Sequence, residues 1–346
     1  MTTVPRHPVR MLCVAALAAP TLAAACSSGG SDTGGPPDTG ASSDASNGAA
    51  EAADEPAAPP VRVVTLNLLH GFFCPPETDA CQAPDRVRIF TDLIEAADCP
   101  DLVGLQEIGA RLEELLAPAV ATLCDGEYTI AWKGGEPAID REMILTRLPV
   151  VDQGYLDIAN FPWEAYWVRA ESAQGPVDFL TTHFASSSNN PPCAPDLCPP
   201  ICPTGTVTNE CHALEVVDFF GRQPPGAALS IASGDLNAVP GSPTVATLLD
   251  AGFVDAWLEA GNAECDPATH RGCTGGGRQP EPFVGMNTAE GPGYDERIDY
   301  VLVRPGDECD LAVDAEPFAA EPRAEPLNGM WWPADHAGVL AELSCR

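Results

Sequence analysis

The sequence predicts an α/β fold, and two observations carry that reading. Short apolar runs rich in β-branched residues alternate along the chain with segments whose apolar residues recur at helical spacing. Nearly every apolar run also delivers a polar residue at its end: Asn67, Glu107, His183, Asp235, Asn237, Asp299, Asp335 and His336. In α/β folds the sheet edge beyond a strand's end is a common place for ligands.

The elements follow in order. "VRVVTLNLL", residues 61–69, reads as a buried strand ending at Asn67. Residues 85–97 place Val87, Phe90, Leu93 and Ile94 on one helical face. A short strand follows Pro100 and ends at Gln106-Glu107, and residues 110–123 read as a second helix. Residues 141–150 and 176–184 read as strands. Residues 186–208 form a Pro- and Cys-rich loop, and 211–220 a helix. The run "ALSIAS" then stops at Gly234-Asp235-Leu236-Asn237. On a strand, residues i and i+2 point the same way, so Asp235 and Asn237 can face one cleft together. A helix near 244–249, a strand at 296–304 and a last strand after Asp335-His336 complete the pass. Asp299 lies between Ile298 and Tyr300 in an apolar strand, where a carboxylate needs a partner.

The start of the chain is of another kind. Arg6 and Arg10 precede the apolar run "MLCVAALAAPTLAAAC", which is short for a membrane span. Residues 1–25 read as a bacterial lipoprotein signal peptide, with cleavage before Cys26 and lipid on its thiol. Ala23 stands where such signals usually have Leu, and plain secretion is the alternative. Residues 26–60 hold Gly, Ser, Ala, Pro and acids with no aromatic residue, a composition that cannot offset the entropy of ordering. They read as a flexible tether, and residues 61–346 as the folded domain. The expected location is outside the cytoplasm, membrane-anchored, periplasmic or at the cell surface.

Beyond Cys13 and Cys26, twelve of the 14 Cys remain, which suits disulfides in an oxidising compartment. Cys74/Cys81, Cys99/Cys124 and Cys265/Cys273 are close in sequence, and Cys309/Cys345 would join C-terminal strands. The quartet Cys193, Cys198, Cys202 and Cys211 leaves a zinc site open as a second reading, although it lacks paired Cys-x-x-Cys spacing. Residues 61–346 hold 15 basic and 44 acidic residues, a formal net charge of −29. That argues against tight non-specific binding to nucleic acid, so no stable nucleic-acid complex is expected, and nothing in the sequence points to a protein partner.

Six segments in register resemble the endonuclease/exonuclease/phosphatase family of DNase-I-like nucleases, sphingomyelinases and inositol-polyphosphate phosphatases. They are "TLN" ending at Asn67, "LQE" ending at Glu107, "TTH" ending at His183, "GDLN" from Gly234, "RIDYVL" from Arg297 and "ADH" ending at His336. The last departs from the usual Ser-Asp-His at Ala334. The resemblance implies a four-layer α/β sandwich of two packed mixed β-sheets flanked by helices, with the site at one end of the sheets. It implies Mg²⁺ or Mn²⁺ held by Glu107 and Asn67, with help from Asp335. It casts Asp235 as the group that positions or deprotonates water and Asn237 as a donor to the phosphoryl oxygen. His183 would contact a non-bridging oxygen, and His336 would be paired with Asp299. Glu142 matches a supporting position. These types suit the chemistry: oxygen ligands fit a hard cation, and phosphoester hydrolysis needs positive charge and a placed water.

The function expected is a Mg²⁺-dependent phosphoester hydrolase, acting outside the cytoplasm on a phospholipid headgroup or other small phosphodiester. An exported endonuclease is the alternative within the class, with Arg111, Arg141 and Arg147 as candidate groove cations. An inactive surface binding protein on the same fold is the alternative from another class.

Overall fold

The computed structural model describes residues 58–69, 81–131, 141–159, 164–186, 190–193, 198–275 and 285–346. The signal peptide, Cys26, nearly all of the tether and Cys74 lie outside the described residues.

Two six-stranded mixed sheets pack against each other. The first has the order β11 (Leu311–Phe318), β12 (Gly338–Cys345), β1 (Val61–Asn67), β2 (Leu102–Gln106), β4 (Met143–Thr146), β3 (Thr129–Ala131). The second has the order β5 (Val150–Asp157), β6 (Glu164–Ser172), β7 (Gly175–His183), β8 (Leu229–Asp235), β10 (Asp299–Pro305), β9 (Val254–Asp255). β1 and β2 run parallel, as do β7 and β8, and the remaining pairs are antiparallel.

The alternation of the strands divides the apolar residues between layers. Val63, Leu102, Ile144, Phe179, Ile231, Val301 and Val339 meet between the sheets. Val64, Leu66 and Val103 point outward, onto Phe90 and Ile94 of α1 (Ala83–Ala96) and Leu112 and Leu116 of α2 (Ala110–Val120). On the opposite side Leu180, Ala232 and Leu302 pack against Val216 and Phe220 of α3 (Thr208–Gly221) and Val245 and Leu248 of α4 (Pro243–Asp250). The result is the four-layer α/β sandwich that the resemblance implies. α4 starts as its sequence dictates: the Ser242 side chain caps Val245 N, and Pro243 occupies the first turn.

The sheets approach closely near one end. A β-carbon on Gly104 of β2 would lie 2.7 Å from Thr181 Oγ1 and 2.9 Å from Ser233 Oγ across the sandwich. Gly234, at φ 136°, leaves no room either, since a β-carbon there would sit 1.9 Å from the Thr182 carbonyl oxygen.

The structure departs from the sequence reading in several places. The single strand expected over 141–150 is two strands, β4 and β5, in different sheets, and the chain crosses between them at Pro149, which has no N–H for a ladder. The hairpin partner β6 and the edge strands β3, β9 and β11 were not anticipated, nor was the short helix α5 (Ala256–Glu259). β5 is a largely exposed edge strand and β11 a partly buried one, so neither has a clear apolar signal, and β11 carries Pro317. α3 begins at Thr208, before Cys211, with the Asn190 side chain accepting from Asn209 N.

The described cysteines are paired: Cys99–Cys124, Cys193–Cys198, Cys202–Cys211, Cys265–Cys273 and Cys309–Cys345. Cys81 is also disulfide-bonded. Three sulfurs of the quartet lie near one another because two disulfides pack side by side. Disulfide sulfurs are not thiolates, so zinc has no ligands there.

Cys309–Cys345 joins the approach to β11 to the end of β12 across a sequence separation of 36. Replacing both by Ser should lower stability by about 2–4 kcal/mol. A denaturant titration against the wild-type chain should show the lower midpoint, and an unchanged midpoint would contradict the pairing.

Candidate active site

Seven strands bring their polar ends to one edge of the sandwich. β1, β2, β7 and β8 arrive by their carboxyl ends, and β4, β10 and β12 start there. The register places Asn67 beside Gln106, His183 beside Asp235, and Asp299 opposite Asp235. All of the strand-end residues singled out in the sequence therefore reach the same edge. Glu142 is buried there too, one residue before the Leu105–Met143 pair.

Asp235 is the hub. Its Oδ2 accepts from Asn67 Nδ2 at 3.2 Å, across the gap between the sheets. The same oxygen lies 3.5 Å from His183 Nε2 and 3.9 Å from His336 Nε2. Its Oδ1 accepts from Asn237 N at 2.8 Å, which holds Asn237 at the left-handed φ of 46°. Glu107 is likewise left-handed, at φ 61°. Two non-glycine residues with positive φ at strand ends in one site mark backbone held by its surroundings.

Asn237 Nδ2 donates to the Phe184 carbonyl at 3.0 Å and meets His183 Nε2 at 2.9 Å. The carbonyl requires a donor, so the amide nitrogen is placed there. His183 Nε2 then accepts the second hydrogen, and its ring carries its proton on Nδ1. Both Asn237 hydrogens are engaged, and an incoming phosphoryl oxygen would compete with His183 for one of them.

His336 Nδ1 donates to Asp299 Oδ2 at 3.0 Å, leaving Nε2 toward Asp235 and the site. Burial alone would push the imidazole down, but Asp299, Asp235 and Asp335 together raise it well above its ordinary value. Burial pushes Asp299 up to about 6, against the pull of His336. At neutral pH the pair is therefore imidazolium and carboxylate. Thr274 Oγ1 accepts from the backbone N–H of Ile298 and Asp299, each at 3.0 Å, and so fixes the start of β10.

The carboxylates Glu107 and Asp335 lie near each other, and Asn67 Nδ2 donates to Glu107 Oε1 at 2.9 Å. Burial, and then the neighbouring Glu107 charge, raise the Asp335 carboxyl, while His336 and Arg86 pull it down. Asp335 Oδ1 is buried and has no hydrogen-bond partner among the described residues. An orphan carboxylate oxygen beside a second carboxylate fits a hard divalent cation, which supplies the missing positive charge. Asn67 Oδ1 accepts from Leu69 N at 3.0 Å, so Asn67 reaches this pair with its amide nitrogen. A second cluster of potential ligand atoms, from Asp235, Asp299 and His336, falls within 4.8 Å. There His336 Nδ1 is already committed to Asp299, and Nε2 stands 3.9 Å from Asp235, an ion-pair distance without a hydrogen bond.

Two loops of the site are anchored by residues with no strand-end signal in the sequence. Arg86 of α1 is 1% exposed and donates to the carbonyls of Cys81, Leu68, Leu69 and Pro333. It ties the exit of β1 to the segment carrying Asp335 and His336. On α3, His212 Nδ1 accepts from Ala185 N, and its Nε2–H donates to the Ala159 carbonyl at 2.6 Å. Glu215 Oε2 accepts from Ala159 N at 2.8 Å. Burial pushes His212 down to about 4 and Glu215 up to about 7. Both lie inside a helix, where no sequence feature marks them as contacts to the Ala159 backbone. Arg141, one candidate groove cation, is buried with Nη1 3.4 Å from Glu113; Arg147 pairs with Glu127 and Arg111 with Glu114.

The Endonuclease/Exonuclease/phosphatase family model matches residues 64–336. No curated protein sequence matches this chain. Among solved structures, TDP2 of D. rerio complexed with a single-strand DNA product is 17% identical, with a TM-score of 0.58 over 82% of this chain and 99% of that one. The mannosyl-6-phosphatase of Bacteroides thetaiotaomicron is 16% identical, with a TM-score of 0.57 over 82% and 99%. An endonuclease/exonuclease/phosphatase from Bacteroides vulgatus is 19% identical, with a TM-score of 0.57 over 83% and 99%. At these identities the likeness is one of fold.

The His212 and Glu215 shifts act on stability with opposite signs. Folded Glu215 keeps its proton up to about 7, so its contribution is full below the unfolded value and is lost as pH rises through 7. Folded His212 refuses a proton down to about 4, so its contribution is full above the unfolded value and is lost as pH falls. Glu215→Gln keeps the acceptor for Ala159 N and removes one of the two slopes. Its stability relative to wild type should rise with pH across the interval between the ordinary Glu value of 4.5 and about 7. Urea midpoints of both proteins across that interval measure it, and a constant difference would refute the assignment.

Proposed function

The chain belongs to the Endonuclease/Exonuclease/phosphatase family and is a metal-dependent phosphoester hydrolase; we propose that it acts outside the cytoplasm on a small phosphodiester, such as a phospholipid headgroup. The observation that carries the catalytic reading is the convergence of Asn67, His183, Asn237 and His336 on the single carboxylate of Asp235, beside the Glu107–Asp335 pair.

Each residue then has a task. Glu107 and Asp335 would hold Mg²⁺ or Mn²⁺, and Asn67 keeps Glu107 in place. When bound, the cation supplies positive charge to the phosphoryl oxygens. Asp235 orients the attacking water and takes its proton, its carboxylate being fixed by Asn67 from the other sheet and by Asn237 N from its own. Asn237 donates to a phosphoryl oxygen in exchange for its bond to His183 Nε2. His183 would contact a non-bridging oxygen from the same side once Nε2, released by Asn237, carries a proton. His336, charged by its pairing with Asp299, presents Nε2–H to the developing negative charge and can return a proton to the leaving oxygen. Glu142, buried just before β4 and next to β2, supports the site.

The substrate class rests on charge. A formal −29 over residues 61–346 repels a long polyanion, increasingly so as salt falls. A small or zwitterionic phosphoester experiences less of that field. The residues named as groove cations also pair with acids, which reduces what they offer a nucleic-acid backbone. The signal-like leader, the Cys26 acceptor and the paired cysteines support export and lipid anchoring.

Two measurements test these readings. Glu107→Ala should cut turnover of a chromogenic phosphodiester by on the order of 100-fold or more while leaving the fold intact. Wild-type activity should vanish in chelator and return with Mg²⁺ or Mn²⁺. Retention of full activity by the variant in EDTA would end the metal assignment. In a substrate panel of sphingomyelin vesicles, plasmid DNA and RNA at two salt concentrations, headgroup release should exceed nicking. Rapid nicking at low salt without headgroup release would reverse the substrate reading.

A further inference from the structure

Asn209 lies in the first turn of α3 and is 2% exposed. Every polar atom of its side chain is committed. One hydrogen of Nδ2 goes to the carbonyl of Ala185 at 3.0 Å, and the other to the carbonyl of Leu236 at 2.7 Å. Its Oδ1 accepts from the hydroxyl of Thr244, in the first turn of α4. Its backbone N–H is taken by Asn190 Oδ1 at 2.8 Å.

The two carbonyls belong to the segments that carry the reacting groups. Ala185 is two residues beyond His183. Leu236 stands between Asp235 and Asn237. A single amide therefore bridges the exit of β7 to the exit of β8, and Thr244 fixes which way that amide faces. The same two exits are joined on the site side by Asn237 Nδ2, which contacts Phe184 O and His183 Nε2. Asn209 thus braces from behind the segments whose front faces carry the His183–Asn237 contact. An aspartate could not replace it, since a carboxylate would aim lone pairs at two buried carbonyl oxygens.

We propose that Asn209 is a positioning residue for His183 and Asn237. It acts through the Ala185 and Leu236 carbonyls, which hold the two strand exits at the spacing that hydrolysis requires. The kinetic part rests on the phosphoesterase reading above, while the structural part does not.

The test uses the full chain with Mg²⁺ or Mn²⁺ and bis(p-nitrophenyl) phosphate as the probe. Asn209→Ala and Asn209→Asp should each lower kcat by roughly 10- to 100-fold, as expected for a small misplacement of reacting groups, with KM moving far less. Thr244→Val, which leaves both amide hydrogens present, should lose less than either. Circular dichroism establishes that each variant is folded. A second readout needs no substrate: ring ¹⁵N shifts of His183. In the wild type Nε2 should show the shift of a hydrogen-bonded acceptor with the proton on Nδ1, and in Asn209→Ala that signature should be lost or broadened. A wild-type chain inert toward the probe, with the His183 signature still dependent on Asn209, would support the positioning role and count against the phosphoesterase reading. Folded variants with wild-type kcat and an unchanged His183 signature would overturn the proposal.

Discussion

One buried carboxylate constrains the site end of this molecule. Asp235 ends a strand of one sheet, yet its Oδ2 is held by Asn67, which ends a strand of the other. For that bond to form, both sheets have to stop at the same level and approach closely. The packing near the edge follows from this demand. Gly104 and Gly234 leave out side chains where backbone and hydroxyls of neighbouring strands come near. Gln106 Nε2 crosses the gap to Thr181 Oγ1 at 2.7 Å and also reaches Thr65 Oγ1 at 3.1 Å. The interior therefore changes from apolar to hydrogen-bonded as it nears the site. Buried polar groups of this kind cost stability unless they are satisfied, so the contacts that satisfy them also specify how the sheets align.

The central strands were legible because they are buried on both faces. β1, β2, β7 and β8 give apolar runs that end in polar residues, β10 begins with one, and those residues are the ones the structure gathers. The edge strands were hidden for the opposite reason. β5 is "VVDQGYLD" with most of its residues exposed, and β11 is "LAVDAEPF" with an internal Pro. Neither has a sequence pattern distinct from a loop. The supporting residues escaped for a third reason. Arg86, Asn209, His212 and Thr274 act on backbone carbonyls and amides that come together only in three dimensions. No spacing along the chain encodes which carbonyl a buried side chain will meet.

Arginine performs much of this tertiary bonding. Lys133 is the single lysine among 17 basic residues. Arg297, 1% exposed, places two nitrogens on Glu264 and one of these also on Asp255, and its guanidinium stacks 4.6 Å from the Tyr300 ring centroid. Two residues later β10 begins with Asp299, which pairs with His336. Arg86 does the equivalent for the Asp335 segment, using carbonyls in place of carboxylates. A planar, permanently charged fork with five donors can satisfy several fixed acceptors at once, which a lysine ammonium does less well.

The place of β1 in its sheet has a mechanical consequence. It is the first strand of the fold but not an edge strand: β12 flanks it on one side, antiparallel, and β2 on the other, parallel. Tension applied through the chain upstream of Val61 is therefore carried along the axis of β1 and resisted by two ladders in shear. An edge strand pulled the same way would be held by one ladder in place of two. The far end of β1 is Asn67, which touches both Glu107 and Asp235. A pull on the front of the domain runs straight to the reacting centre, so resistance to drawing out that strand and integrity of the site are one mechanical property, set by how fast the ladders yield under force.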